Sequence, residues 1–260
     1  MILIDKLCYQ SRLRHANPYI KFLFAMTSLC FCIGNRSVIM AVILLFVMGS
    51  MTVLKGGLSP FLYLRLLSLP LVFLLTGVLA VLLDLSSVPS GRFSIPLGSI
   101  YLVIRDSQIQ MALRLFFTAL SCTSCLYFLS LTTPIPDLLH VLRKFHIPSF
   151  LLDLMFLTYR YIFILLSLAS TISIAQQSRL GNRTLRLSRN SFVKLLGSLF
   201  VLSIRKSSGN FDAMESRGYS GSLTLLPPLI HHRKKDWILL GIFEIILLIW
   251  TVLIRSGRLS

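Results

Sequence analysis

Residues 37–54 read SVIMAVILLFVMGSMTVL, a run of apolar and small polar side chains without a single charge. A helix needs about 20 apolar residues to cross the hydrocarbon core of a bilayer. Comparable uncharged runs lie at 66–83, 115–136 and 161–178, with a shorter apolar stretch at 19–33 and an interrupted one at 237–254. The pattern therefore predicts an all-α, polytopic membrane protein.

The composition supports this class. Hydrophobic residues make up 55% of the 260 positions and charged residues only 13%, whereas a soluble domain carries roughly 25% charged residues. The N-terminal stretch 1–21 lacks the basic segment, apolar core and small-residue cleavage site of a secretory signal peptide. Insertion into the membrane is therefore expected to depend on the internal spans.

The positive charge of the chain is large and clustered. The formal net charge is +17, and cytoplasmic loops of membrane proteins carry an excess of Lys and Arg. Positions 176 to 235 contain eleven Lys and Arg residues, and the only acidic residues among them are Asp212 and Glu215. This region and the basic N-terminal segment 6–21 are predicted to face the cytoplasm. Nucleic-acid binding is not expected, because aromatic and basic residues are not interleaved.

The cysteines and histidines do not predict a metal site. Cys122 and Cys125 have a CxxC spacing, but a second pair or a histidine partner is missing nearby. Packing in the apolar core is therefore favoured for these thiols. His231 and His232 adjoin three cationic residues and are interpreted as part of a basic loop. The odd number of cysteines, five, implies no disulfide framework.

The chain is predicted to have three parts. These are N-terminal transmembrane helices at 1–131, an amphipathic helix and long helices facing the cytoplasm at 132–235, and a C-terminal transmembrane helix at 236–260. The dipeptides Gly34-Asn35 and Gly56-Gly57 are predicted to mark turns. Residues 83–101, rich in Ser, Pro and Gly, are predicted to form an irregular loop or a re-entrant segment.

The distribution of charge conflicts with a simple count of spans. If every apolar run crossed the membrane from a cytoplasmic N-terminus, the basic region 176–235 would lie outside. At least one run is therefore expected not to cross. The two long helices predicted at 149–181 and 189–206 are the first candidates.

Residues 132–148 read TTPIPDLLHVLRKFHIP and predict an amphipathic helix at the membrane interface. Thr133 is expected to cap it, with Pro134 at the first helical position, and the helix is expected to end at His146-Ile147 before Pro148. The apolar face comprises Ile135, Leu138, Leu139, Leu142 and Phe145, and the polar side comprises Asp137, His140, Arg143 and Lys144. A simple connecting helix and a partner-binding helix both fit this pattern.

Two stretches of the basic region share a motif. Residues 175–181 read AQQSRLG and residues 213–219 read AMESRGY, so Ala, Ser and Arg stand at i, i+3 and i+4 in both. On a helix these residues share one face, and a guanidinium offers a planar set of donors that suits a carboxylate. Gly181 and Gly218 are expected to adopt the left-handed conformation that ends a helix.

Each copy therefore predicts a helix tip that presents one arginine, Arg179 or Arg217. The alternative is a pair of ordinary cytoplasmic helix ends, where a late arginine complements the helix dipole.

The second copy closely resembles the second coupling motif of the transmembrane T component of energy-coupling-factor (ECF) transporters. The first copy lies where that family has its first motif. Three further stretches fit in order, namely NPYIK at 17–21, the amphipathic stretch at 132–148 and the region 159–161. The resemblance covers nearly the whole chain, and residues 197–219 look most like the cobalt-type branch.

The motifs differ from the family pattern in three ways. The family centres on Ala-Arg-Gly, whereas Ser178 and Ser216 stand here in place of alanine and Leu180 in place of the first glycine. Serine is still small enough for close docking. The stretch 206–210 lacks the acidic residue expected in the cobalt branch.

The resemblance implies an all-helical scaffold in the cell's inner (plasma) membrane. It would link two cytoplasmic ABC ATPase subunits to a substrate-binding membrane subunit that takes up a cobalt or nickel ion or a vitamin. The ATPase-coupling residues would be Ala175, Ser178, Arg179, Gly181, Ala213, Met214, Glu215, Ser216, Arg217 and Gly218. The contacts with the substrate-binding subunit or another interface would be Leu138, Leu142, Arg143 and Phe145.

No catalytic residue and no cofactor are expected in this chain. It has no Gly-x-x-x-x-Gly-Lys-Ser/Thr phosphate loop, so ATP with Mg²⁺ would be bound and hydrolysed in the ATPase partners. A stand-alone secondary transporter of a small solute is the alternative. Such proteins place ionisable groups at mid-membrane, and the candidates are Glu244, Arg65, Arg114 and Arg160. A membrane enzyme would need clustered carboxylates or histidines, whereas the nine Asp and Glu residues are scattered.

Overall fold

Helices dominate the chain. The computed structural model describes residues 3–35, 37–82, 84–86, 93–97, 100–104, 106–219, 221 and 234–255. The α-helices are α1 (Leu3–Gln10), α2 (Pro18–Asn35), α3 (Val38–Ser50), α4 (Pro60–Leu82), α5 (Asp106–Thr132), α6 (Ile135–Arg143), α7 (Ser149–Ser178), α8 (Leu185–Glu215) and α9 (Lys234–Arg255). A 3-10 helix (Arg12–His15) precedes α2, and a π-helix (Met51–Lys55) continues α3.

The predicted all-α, polytopic class is confirmed. Five of the described helices are long and apolar enough to cross a membrane, and Trp237–Val252 is a shorter apolar helix. The five are Val38–Lys55, Pro60–Leu82, Gln108–Thr132, Ser149–Ser178 and Leu185–Glu215. Apolar side chains of α4 such as Leu69 and Phe73 are exposed on the protein surface, as expected of a helix that faces lipid.

The segment 83–101 is not wholly irregular, and this prediction was wrong in part. Three short strands lie here, β1 (Asp84–Ser86), β2 (Phe93–Leu97) and β3 (Ile100–Ile104). β3 pairs antiparallel with both of the others, in the order β1-β3-β2. The stretch FSIPL and the stretch IYLVI carry aromatic and β-branched residues, which favour strands; the prediction rested only on the Ser, Pro and Gly content.

The helices form two compact units. One comprises Ile2–Pro134 with Leu229–Ser260, and the other comprises Ile135–Pro228. In the first unit, α5 contacts α1, α2, α3 and α4, and α9 contacts α2. Phe24 of α2 packs its ring against Phe128 of α5, with centroids 5.4 Å apart, and against Phe243 of α9, at 4.8 Å. Cys125 is buried in the same cluster, which confirms its predicted packing role.

The N-terminal segment is fastened to the turn between α3 and α4. The Ser11 hydroxyl and the Arg12 amide both donate to the Gly56 carbonyl oxygen, each at 3.1 Å. Gly57 has φ +75°, a conformation that favours glycine. The turn predicted at these two glycines is confirmed.

A buried lysine joins two distant parts of the first unit. Lys21 of α2 is only 5% exposed, and its ammonium donates to the carbonyl oxygens of Leu13 (3.1 Å) and Thr132 (2.8 Å). The second acceptor belongs to the last turn of α5, where carbonyls lack partners inside the helix. The charge is therefore accommodated by dipoles at a helix C-terminus, where cations are stabilised.

The second unit contains α6, α7 and α8, and α7 contacts both of the others. Helix α7 confirms the long helix predicted from residue 149. The second long helix was predicted over 189–206, but α8 is unbroken from Leu185 to Glu215. The Thr184 hydroxyl caps its start by accepting from the Leu187 amide at 3.3 Å, and the polar stretch 207–210 continues the helix instead of interrupting it.

Two details of the amphipathic helix were predicted wrongly. Thr133 does not cap it: its amide donates to the Leu129 carbonyl oxygen at 3.0 Å and prolongs the last turn of α5, and its hydroxyl has no hydrogen-bond partner among the described residues. The helix ends at Arg143 and not at His146, which has φ +59°. Phe145 therefore lies beyond the helix and is 54% exposed.

Candidate functional site

Helix α7 ends at the first copy of the repeated motif in a Schellman cap. The Leu180 amide donates to the Gln177 carbonyl oxygen (2.9 Å), and the Gly181 amide donates to the Gln176 carbonyl oxygen (2.8 Å). This pair of bonds satisfies carbonyls that have no partner inside the helix. Arg179 is the residue immediately before the left-handed position, and its side chain is exposed.

Helix α8 ends at the second copy in the same cap. The Gly218 amide donates to the Glu215 carbonyl oxygen (2.9 Å), and the Tyr219 amide donates to the Met214 carbonyl oxygen (3.1 Å). Arg217 is exposed and occupies the position that the arginine of the first copy occupies. The two copies are therefore equivalent in backbone structure as well as in sequence.

The left-handed residue differs between the two caps. It is Gly218 in the second copy, with φ +78°, as predicted, but Leu180 in the first, with φ +58°. The prediction that Gly181 takes this conformation was wrong. Gly181 is required for a different reason, because a Cβ there would lie 2.7 Å from the Ser191 hydroxyl and 2.9 Å from the Gln176 carbonyl oxygen.

Hydrogen bonds at two levels join α7 to α8. Near the first tip, the Gln176 amide side chain donates to the Ser191 carbonyl oxygen (2.9 Å), and the Ser191 hydroxyl donates to the Gly181 carbonyl oxygen (3.0 Å). Further along, the Tyr161 hydroxyl donates to the Lys206 carbonyl oxygen (3.1 Å). Tyr161 precedes Gln176 by 15 residues and Lys206 follows Ser191 by 15, as antiparallel neighbours require.

The two arginine tips therefore lie at opposite ends of the α7–α8 pair. A helix of 31 residues, such as α8, is about 45 Å long, which sets the scale of their separation. Sequence reasoning did not identify Gln176 or Ser191, because a polar residue within a helix gives no sign of which carbonyl on another helix it meets.

The predicted coupling residues all lie at these two tips, five or fewer positions from each helix end. Eight of the ten are exposed, and Gly181 and Met214 are half-buried. The Ser178 and Ser216 hydroxyls donate to carbonyl oxygens of their own helices, so they do not reach towards the arginines. Among the described residues, neither arginine side chain forms a hydrogen bond or an ion pair, and both guanidinium groups are open to an external acceptor.

Comparison with known proteins identifies the family. Residues 10–226 match the model of the CbiQ family, described as cobalt transport protein. The chain belongs to this family. It is 28% identical over 258 residues to an uncharacterized protein of Methanocaldococcus jannaschii, covering 99% of this chain and 96% of that protein. It is 29% identical to the cobalt transport protein CbiQ of Salmonella typhimurium, covering 85% and 99% of the two chains.

The ECF relationship is also supported. The energy-coupling factor transporter transmembrane protein EcfT of Macrococcus caseolyticus is 28% identical over 240 residues, which cover 88% of this chain and 86% of that protein. The predicted resemblance to the transmembrane component of ECF transporters is thus confirmed. Together with the membrane-spanning helices, family membership makes the chain a multi-pass plasma-membrane component of a transport system.

The other predicted interface of this CbiQ-family chain is on and just after α6. Leu138 and Leu142 are half-buried, whereas Arg143 and Phe145 are exposed. The buried side chains of this helix are Leu139 and Val141, so the four predicted contact residues are not among the side chains that pack inside the protein.

The described residues contain no cluster of three or more His, Cys, Asp and Glu that could hold a metal ion. Cys122 packs beside a second buried cluster that includes Cys32 and Met40. His231 and His232, interpreted as part of a basic loop, lie outside the described residues.

Proposed function

We propose that this chain is the transmembrane coupling subunit of an ECF-type ABC importer. The observation that carries the proposal is the matched pair of helix ends, each with one exposed arginine at the same position of the same cap. An arginine held at a capped helix tip suits a carboxylate on another protein. Two tips at opposite ends of one helix pair suit two ATPase subunits, each of which engages one tip.

The antiparallel packing of α7 and α8 bears on how they lie in the membrane. If both helices crossed the bilayer upright, Arg179 and Arg217 would face opposite compartments. Both arginines belong to the basic region 176–235, whose charge favours the cytoplasm. The two helices can be antiparallel and still place both arginines in the cytoplasm if the pair lies along the cytoplasmic side of the membrane and does not span it. This orientation also resolves the conflict between the charge and the count of apolar runs.

The proposed mechanism is mechanical. ATP with Mg²⁺ binds to the two ATPase subunits, and their closure moves Arg179 and Arg217. The hydrogen bonds of Gln176 and Ser191 tie the end of α7 to the start of α8, so displacement of one tip is passed along the pair. The movement then reaches a substrate-binding membrane subunit, which releases its cargo.

The remaining partners follow from the same proposal. Leu138, Leu142, Arg143 and Phe145 contact the substrate-binding subunit or a neighbouring interface. The cargo is bound by that subunit and is a cobalt or nickel ion or a vitamin; the name of the Salmonella typhimurium relative favours cobalt. This chain itself holds no cofactor and catalyses no reaction in the proposed assembly.

Charge reversal at the two tips tests the proposal. Arg179→Glu and Arg217→Glu should each weaken attachment of the ATPase subunits, because breaking a desolvated ion pair costs on the order of 3–5 kcal/mol. This corresponds to an affinity reduced by a factor of at least about 100. The matched control is Lys194→Glu, which reverses an exposed charge of α8 nine positions after the start of that helix and 21 positions before its end. Binding is measured by co-purification of the full chain with candidate ABC ATPases, and folding by far-UV circular dichroism.

The results of this experiment distinguish a coupling subunit from a stand-alone secondary transporter. The double variant should lose the ATPases while the control retains them and both keep their helicity. Full-yield co-purification of the double variant would refute the coupling role of these arginines. Solute uptake by this chain alone, without ATPases, would support the stand-alone secondary transporter instead.

A further inference from the structure

A cationic groove lies between α7 and α8, away from the two arginine tips. Its walls are Arg160, Tyr161 and Ile164 of α7 and Leu202, Arg205, Lys206, Gly209, Asn210 and Ala213 of α8, and its volume is about 510 Å³. We infer that this groove binds the phosphate of an anionic phospholipid headgroup. The proposed coupling role does not require this site.

Three cationic side chains line the groove, and none of them has a counter-ion in the described part of the chain. Among the described residues, the side chains of Arg160, Arg205 and Lys206 form no hydrogen bond and no ion pair, and all three are exposed. Cations that line one groove repel one another, and an anion bound between them would remove that repulsion. A phosphate accepts several such donors at once, and arginine binds it in a bidentate manner.

The lysine wall of the groove is fixed in position. The Tyr161 hydroxyl donates to the Lys206 carbonyl oxygen at 3.1 Å, which holds the α7 wall against the α8 wall at this level. Gly209 lies about one turn further along α8. A Cβ added at this position would have no other atom within 4 Å. The small residue therefore leaves room beside the lysine for a headgroup.

The surroundings of the groove favour a lipid over a free phosphate ion. Ile164 and Leu202 line it together with the cationic side chains. Apolar residues beside the cations offer a surface to an acyl chain, which an inorganic ion lacks. The preference for a lipid rests on the proposed orientation of the α7–α8 pair along the cytoplasmic side of the membrane, where clusters of Lys and Arg at the membrane surface bind anionic headgroups.

The test measures lipid binding to the full chain in detergent by native mass spectrometry. Phosphatidylglycerol and phosphatidylcholine are titrated separately, and inorganic phosphate is added as a competitor. The groove variant is Arg160→Gln/Arg205→Gln/Lys206→Gln. The control variant, Arg186→Gln/Arg189→Gln/Lys194→Gln, removes the same charge from exposed positions of α8 outside the groove.

The expected result is selective. Each Lys or Arg near an anionic lipid contributes roughly a fivefold factor in affinity, so the groove variant should bind phosphatidylglycerol about 100-fold more weakly than the unaltered chain. The control variant should stay within a few-fold of it, and phosphatidylcholine should bind all three chains alike. Gly209→Leu, which fills the groove without changing its charge, should also reduce phosphatidylglycerol binding.

Three outcomes would overturn the inference. Equal loss of phosphatidylglycerol in the groove and control variants would mean that general charge, and not the groove, attracts the lipid. Displacement of the lipid by millimolar inorganic phosphate, with phosphate bound in its place, would assign the groove to the free ion. Loss of ATPase attachment in the groove variant, with lipid binding unchanged, would assign it to a protein interface.

Discussion

Replacing Leu180 by glycine should strengthen the cap of α7, and replacing Gly218 by leucine should weaken the cap of α8. The two residues occupy the same position of the same cap, with φ +58° and +78°. A left-handed conformation costs a residue with a Cβ about 1–2 kcal/mol, because the Cβ approaches the following carbonyl oxygen. Glycine avoids this cost.

The net magnitude follows from the exposure of the side chain. Leu180 is 65% exposed, so its removal uncovers little buried surface. The greater freedom of glycine in the open state offsets about 0.5–1 kcal/mol of the gain. The cap of α7 should therefore become more stable by about 0.5–1 kcal/mol, which slows exchange of its amide hydrogens about two- to fivefold. The reverse replacement at Gly218 should accelerate exchange by a similar factor.

Hydrogen–deuterium exchange of the full chain, measured by mass spectrometry, reports the stability of both caps. The informative peptides cover 174–181 and 212–219, which contain the amides that close each cap. Leu180→Ala is the matched control, since alanine removes the bulk of the side chain but keeps the Cβ. Identical exchange in Leu180→Gly and Leu180→Ala would show that Cβ strain does not limit the cap and would refute the reasoning.

Three further replacements test the packing. Lys21→Met should lower the thermal unfolding midpoint, since it removes two charge-assisted hydrogen bonds worth on the order of 3 kcal/mol together; an unchanged midpoint would contradict this. Gly181→Ala should cost about 1–3 kcal/mol, because its Cβ would lie 2.7 Å from the Ser191 hydroxyl, and exchange at the α7–α8 turn should rise clearly above that of the unaltered chain. Tyr63→Phe should cost about 1 kcal/mol by removing a 2.7 Å hydrogen bond to Ser124, and a double variant that also carries Ser124→Ala should show no additional loss.

Sequence patterns predicted the features that arise from local composition. Uncharged runs such as 37–54 became helices long enough to span a bilayer, because apolar length alone decides that property. The paired Ala-x-x-Ser-Arg stretches became two equivalent helix ends, since the cap depends on a few consecutive residues. The glycines at 56 and 57 marked a real turn for the same reason.

Features that depend on neighbours were predicted poorly. Thr133 has the identity of an N-cap, but its amide completes the last turn of α5, and only the preceding helix decides this. Leu180 takes the left-handed position although glycine follows it. The nearby Gly181 is needed where Ser191 approaches, and that contact joins residues of different helices.

The amino-acid sequence by itself determined the class of the protein, its membrane character and the positions of the two arginines, because charge, apolar length and residue spacing are local quantities. Only the tertiary structure decided that α7 and α8 run antiparallel, that their arginine tips lie at opposite ends and that Arg160, Arg205 and Lys206 share one groove. These arrangements depend on hydrogen bonds between residues 15 and 45 positions apart. A helical pattern specifies which residues share a face, but the contact between two helices specifies what that face meets.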